Sequence, residues 1–150
     1  MARALDDRLD IIATDHAPHT WEEKQVSYEE AYAGLPLVQH PLQLMMYYVK
    51  EGKISIEKVV EKMSHAPATC FQIKERGYIR EGYYADLVLV NPNQPNIVSK
   101  ENLLYKCGWS PLEGFEFPSS ITHTFINGHL AYGKGVFDES QKGMRMEFER

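Results

Sequence analysis

Leu9-Asp10-Ile11-Ile12-Ala13-Thr14-Asp15-His16-Ala17-Pro18-His19 is the stretch on which the reading of this chain turns. Leu9 to Ala13 is short and nearly all apolar, which suits a strand buried on both faces, as in parallel sheets, better than an alternating surface strand. A carboxylate and two imidazoles follow directly. The end of such a strand, where it opens into a loop, is where α/β barrels keep their chemistry. Asp15 is therefore the strongest candidate for catalysis. A carboxylate at a strand mouth can bind a metal through one oxygen and take a proton from metal-bound water. Taken alone, an Asp after a strand is more often a cap for the next segment, and it is His16 and His19 that shift the balance. Pro18 stiffens the loop between them. We read His19 as a substrate-binding group and His16 as a structural hydrogen-bonding residue. Neither H-x-H nor H-E-x-x-H occurs, and His16 and His19 lie across a proline rather than on a helix face. A complete zinc site is thus not expected from these 150 residues alone, and the chain is expected to be the last part of a larger enzyme.

Bulk properties narrow the alternatives. The length suits one domain of ordinary size, and 43% hydrophobic residues support a packed core. A net charge of −5 with no basic run argues against nucleic-acid binding. No apolar stretch approaches the roughly 20 residues needed to span a bilayer, so no membrane partner is expected. Met1 to Arg8 is charged and has no apolar segment of the kind a secretory signal needs. It feeds straight into the apolar run, which reads as a cut boundary rather than a natural start. Cys70 and Cys107 are the only cysteines. They can form one disulfide at most, and two scattered thiols fit a reducing, cytoplasmic setting.

Downstream, 20–33 reads as a long loop with one helical turn. Gly34-Leu35-Pro36 should launch a helix with Pro36 in its first turn, an apolar face of Leu37, Leu42, Leu44, Met45, Tyr48 and Val49, and a stop at Gly52. Ser55 should cap a second helix running to Met63. A third, short helix should start at Ser64 or His65, with Pro67 in its first turn, and end near Ile73. The composition changes after Gly77. Tyr78 to Gly82 reads as strand and turn, Asp86 to Val90 as an apolar strand, and 93–118 as an extended connection. Ile121 to Ile126 and His129 to Tyr132 read as a hairpin about Asn127-Gly128, followed by a second Gly turn before Val136-Phe137. The polar tail after Asp138 should fray. Gly34 is either a turn glycine or a point of close backbone approach to a ligand. Cys70 is expected buried on a helix face. His65 reads as a cap or packing residue, and His40, His123 and His129 as surface or sheet residues. The tyrosines read as core or interface groups.

Several segments resemble one family in one order. Ile12 to His19 resembles the last-strand motif of dihydroorotases, in the cyclic amidohydrolase superfamily. Gly34-Leu35-Pro36-Leu37 resembles their substrate loop, and Ser64-His65-Ala66-Pro67-Ala68 a stretch that ends in N-P-A. Gly82 to Val90 resembles the G-x-x-A-D-L-V strand of many amidohydrolases. Lys106-Cys107-Gly108-Trp109-Ser110-Pro111-Leu112-Glu113-Gly114 resembles a stretch more particular to dihydroorotases, and Thr122 to Gly128 the closing T-x-x-x-G hairpin.

The resemblance implies an α/β fold: a C-terminal fragment of a (β/α)8 barrel (last strand plus helices, 1–76), then part of a small antiparallel β-sandwich (77–140) and a polar tail (141–150). It implies a zinc-dependent enzyme, with one or two ions, that interconverts N-carbamoyl-L-aspartate and L-dihydroorotate. In that scheme Asp15 is metal ligand and proton carrier, His19 pairs with the substrate carboxylate, and the backbone near Ala33 and Gly34 binds the pyrimidine ring. Ligands from an upstream H-x-H, a carboxylated lysine and two further histidines are expected elsewhere, so this stretch alone should bind zinc weakly or not at all and be inactive. Its expected partners are a small-molecule substrate and further copies of itself, in a homo-oligomer or through exposed barrel surface. The competing readings are another cyclic amidase, such as a hydantoinase or dihydropyrimidinase, and an inactive assembly subunit. Lys106 to Gly114 argues against the first, Asp15 and His19 against the second.

Overall fold

The computed structural model describes residues 7–149. The first six residues of the charged N-terminal segment and Arg150 of the polar tail lie outside them. The helical elements are α1 (Trp21–Lys24), α2 (Pro41–Lys50), α3 (Ile56–Val60) and α4 (Ala66–Cys70). The strands are β1 (Leu87–Asn91), β2 (Asn96–Ile97), β3 (Glu116–Phe117), β4 (Ser120–Ile126), β5 (His129–Gly133) and β6 (Val136–Phe137).

Residues 9–13 do not form the expected buried strand. A strand needs a neighbour, and no described strand runs beside this one; Leu9 is half exposed. What holds the segment is one helix. The Ile12 amide donates to the Lys62 carbonyl at 3.0 Å. Asp7 Oδ1 lies 2.8 Å from both Lys58 Nζ and Lys62 Nζ, and these two ammonium groups hold the Asp7 carboxyl down at about 2. The Ile12 side chain packs against the core of Met45, Ile54 and Val59.

The Lys62 carbonyl is free to accept because of Pro67. The second and third helices expected from sequence are one: α3 passes without a break through a π-helical turn, Glu61–His65, into α4. Within that turn the Ala66 amide reaches back five residues to the Glu61 carbonyl. In the same register Pro67 faces the Lys62 carbonyl with no N–H to give. The Ile12 amide takes that place. Ser64 and His65 therefore sit inside the helix and cap nothing; His65 stacks on Tyr78 with ring centroids 4.2 Å apart. Ser55 does cap α3, accepting from the Lys58 amide. Cys70 lies exposed at the end of α4, not buried, and neither cysteine is in a disulfide.

The helix expected from Pro36 starts instead at Pro41. The amides of Leu37 and Val38 are already committed to His16 Nδ1, at 3.1 and 3.2 Å. That commitment holds 36–40 as a turn. Pro41 then takes the first helical position, where a missing N–H costs nothing. His40, expected at the surface or in the sheet, is only 1% exposed. It stacks on Phe117 at 5.8 Å, and Phe117 meets Phe115, which meets Tyr47 of α2. This aromatic run packs α2 against the β2–β3 ribbon. Gln39 adds two bonds to the same connection, to the Asn102 carbonyl and from the Leu104 amide, each 2.8 Å.

The main sheet is antiparallel in the order β1-β4-β5-β6, and β2 pairs with β3 separately. Leu87 pairs with Phe125 and Asn91 with Ser120, with an irregularity at Leu89/Val90. The β4–β5 hairpin turns on Asn127 and Gly128, both at positive φ (51° and 82°), as the tight turn compatible with strand twist requires. Tyr78 to Gly82 forms no strand: it loops across α4, where Arg80 lies 4.3 Å over the Tyr78 ring. Arg76 joins the halves. Its guanidinium pairs with Asp86, reaches Asn127 Oδ1 at 2.7 Å, and covers the Tyr84 ring at 4.1 Å. The tail is tethered instead of frayed. Ile73 pairs with Phe148, the Lys74 amide donates to the Glu147 carbonyl, and the Glu149 amide donates to the Gln72 carbonyl.

Candidate active site

Asp15 sits in left-handed backbone, φ 47°, with its side chain exposed. Asp tolerates that conformation better than most residues, yet such backbone usually serves local hydrogen bonding, and here there is none. The cap of α1 is Thr20, whose Oγ1 accepts from the Glu23 amide while Glu23 accepts from the Thr20 amide at 2.8 Å. No described residue hydrogen-bonds or ion-pairs with the Asp15 carboxylate. The capping explanation for Asp15 therefore falls away.

The residues after Asp15 are fastened at each step. His16 Nδ1 accepts from two backbone amides, the structural role read from sequence. The Ala17 amide donates to the Leu35 carbonyl at 3.1 Å, and the His19 amide donates around Pro18 to the Ala17 carbonyl at 3.0 Å. The His19 ring stacks on Tyr32, centroids 4.8 Å apart and planes 8° from parallel. Its Nδ1 faces Glu23 Oε2 at 3.6 Å, and its backbone carbonyl accepts from Trp109 Nε1 at 2.8 Å.

The 32–34 loop is brought against the same segment. Gly34 has φ 91°, and a Cβ there would stand 2.5 Å from the Ala17 Cβ. Both the backbone conformation and the contact demand glycine. Lys24 Nζ donates to the carbonyls of Tyr32 and Gly34. The amides of Ala33 and Gly34 meet no acceptor among the described residues, so two N–H groups stay available beside Asp15 and His19. Thus all four site residues expected from sequence fall in one neighbourhood. Sequence reasoning missed Glu23, Lys24, Tyr32 and Trp109, which hold that neighbourhood in shape. Only Trp109 carried a signal, through its place in Lys106–Gly114.

A metal ion needs more than this set offers. Zinc takes three or four protein ligands, and among the described residues no three His, Cys, Asp or Glu side chains converge. His16 Nδ1 is already an acceptor and His19 Nδ1 faces Glu23, and among the described residues the Asp15 carboxylate does not join their rings in a set that could hold a metal. These residues do not hold a metal by themselves. A groove of about 1430 Å³ lies elsewhere, over the end of β1 and over β4, β5 and β6 with 138–143, and no candidate residue lines it. Size there reflects an open sheet face; the unpaired carboxylate and free amides are the better guide to chemistry.

Comparison with known proteins gives a consistent picture. The profile of the Amidohydrolase family matches residues 1–131. The chain is 38% identical over 112 residues to a dihydroorotase of Halobacterium salinarum, covering 75% of this chain and 26% of that protein. It is 35% identical over 133 residues to a dihydroorotase of Clostridium acetobutylicum, covering 88% and 31%. Among solved structures it resembles a D-hydantoinase (dihydropyrimidinase) of Thermus sp., with TM-score 0.82, 24% identity, and coverage of 91% of this chain and 31% of that one. A dihydropyrimidinase of Brevibacillus agri gives TM-score 0.81 at 20% identity, with coverage of 91% and 31%. At those identities the structural likeness speaks for the fold. The chain spans less than a third of the length of each of these relatives.

Proposed function

The chain belongs to the Amidohydrolase family, and from that premise we propose that it is the C-terminal portion of a zinc-dependent dihydroorotase, a cytoplasmic enzyme interconverting N-carbamoyl-L-aspartate and L-dihydroorotate in pyrimidine biosynthesis. In this reading residues 9–15 take the place of the last strand of a (β/α)8 barrel. The helices through Cys70 close the barrel, and β1 to β6 are one share of the small sandwich. Zinc, as one or two ions, belongs to the intact protein and is held mainly by residues outside the described set, with Asp15 offering one oxygen. The parent works as a homo-oligomer, and the isolated chain is inactive and associates with itself.

One observation carries the reading: an unpartnered carboxylate at Asp15 beside a histidine whose ring and backbone are both fixed. Asp15 is suited to accept a proton from the attacking water and return it to the ring nitrogen that leaves. His19, stacked on Tyr32, is suited to receive a substrate carboxylate. The amides of Ala33 and Gly34 are suited to bind a ring carbonyl, since an N–H donates and a carbonyl accepts.

The solved neighbours named hydantoinase keep a second cyclic amide in view, and the two substrates differ in a group His19 would read. L-dihydroorotate carries a ring carboxylate that dihydrouracil lacks. The intact protein should hydrolyse dihydroorotate in clear preference to dihydrouracil, and His19→Ala should cut that preference by about tenfold or more, the order of one charge-assisted hydrogen bond. Preference for dihydrouracil would reverse the assignment. Turnover of neither would favour the inactive assembly subunit.

A further inference from the structure

Tyr105 to Gly114 has no part in the chemistry above, yet it touches the site-bearing loop through Tyr105 and through Trp109. Tyr105 meets the His16 ring at 5.5 Å. Trp109 donates its indole N–H to the His19 carbonyl at 2.8 Å, across 90 positions of sequence. Trp109 is itself firmly placed. It is 8% exposed, and Trp21, the first residue of α1, meets its ring edge-on at 5.4 Å. Its neighbour Ser110 is buried and turns the chain by accepting from the Leu112 amide at 3.1 Å. The Gly108 amide donates to the Tyr105 carbonyl at 3.4 Å.

The contacts of His19 divide the work. Tyr32 and Glu23 constrain the imidazole, but a ring can be well oriented on a backbone that drifts. The bond from Trp109 acts on the backbone itself, because it fixes the peptide plane between His19 and Thr20. An indole N–H only donates, so it cannot switch roles. Its removal leaves the His19 carbonyl without its partner, in a part-buried place where an unmet acceptor is costly.

We propose that Trp109 is a positioning residue for His19: it anchors the backbone from which His19 presents its ring to the carboxylate of the substrate. This rests on the reading of His19 given under Proposed function. Lys106 to Gly114 thereby becomes part of substrate recognition without touching substrate.

The test uses the intact protein and two readouts. In the first, Trp109→Phe should raise KM for L-dihydroorotate about tenfold and leave kcat within about twofold, the pattern of lost uniform binding. In a His19→Ala background the same change should add less than about twofold, since coupled residues are non-additive. An unchanged KM, or the full tenfold cost without His19, would overturn the proposal. In the second readout, with ¹⁵N and ¹³C labels, the wild-type Trp109 indole N–H should resist exchange. Trp109→Phe should shift the Thr20 amide and the His19 ring signals. A fast-exchanging indole, or Thr20 and His19 signals that stay in place, would contradict it. If Trp109→Phe does not fold, replacing the indole by benzothiophene keeps the shape and removes only the donor, and the same outcomes apply. If the wild type turns over no dihydroorotate while the spectral shifts occur, the functional reading fails and the Trp109–His19 coupling stands.

Discussion

At the scale of the residue, the site depends on two unusual backbone positions, Asp15 and Gly34. Gly34 is the simpler to test. Alanine there would meet the Ala17 Cβ at 2.5 Å in a backbone of φ 91°. Both strain and overlap oppose it, and Gly34→Ala should cost about 1–3 kcal/mol in a urea titration. His40 gives a pH signature. Burial holds its imidazole below the ordinary value of 6.5, so below that pH the unfolded chain binds more protons than the folded one. Stability should then fall as pH drops from 7 toward 5, and His40→Phe should flatten that slope in thermal melts. Asp15 and His19 stood out as candidates in the sequence because their signal is local, an apolar run followed by D-x-x-x-H. The role of Trp109 was not legible, since no local pattern tells an indole which carbonyl it will meet 90 residues away. His40 misled for a related reason: histidine is amphipathic, and only its place at the start of α2, against Phe117, decides that it is buried.

At the scale of the element, turn chemistry was readable and helix continuity was not. Asn127-Gly128 gave the β4–β5 hairpin because left-handed backbone is a property of those two residues. The π turn depends on Pro67 and on a donor that arrives from Ile12. With no described strand beside it, the expected buried strand is an extended segment that this bond fastens to a helix. Asp7 tests how that segment is held. Its carboxyl is pulled to about 2 from an ordinary 3.8 by Lys58 and Lys62. The stabilisation is thus complete above 3.8 and is lost as pH falls toward 2. Asp7→Asn should loosen 7–12 at neutral pH, seen as faster amide exchange at Ile12, and should remove this part of the acid sensitivity. Equal exchange in both proteins would show that the Lys62 carbonyl alone holds the segment.

At the scale of the whole molecule, a great deal of apolar surface faces outward. Leu9, Val88, Leu89, Leu130, Val136 and Phe137 are all exposed. At about 25 cal/mol per Å², a few hundred Å² of such surface matches the net stability of a domain. The isolated chain should sediment at micromolar concentration as species heavier than its 17.3 kDa monomer, and a single monomeric boundary would contradict this. The hairpin of the antiparallel half was legible from its turns, while the β2–β3 ribbon was not, since both its strands are two residues long and lie in the stretch read as an extended connection. The packing of the halves through Arg76, Asp86 and Asn127 was not, because each partner comes from a different segment. The family profile, the relatives and the solved neighbours agree on the fold, while the proposed chemistry rests on Asp15. The most direct measurement is turnover of L-dihydroorotate by the intact protein carrying Asp15→Asn, beside its thermal melt. The account predicts a loss of about 10²- to 10⁴-fold, the reach of general acid–base catalysis, with the melt unchanged. Turnover equal to the wild type would contradict it.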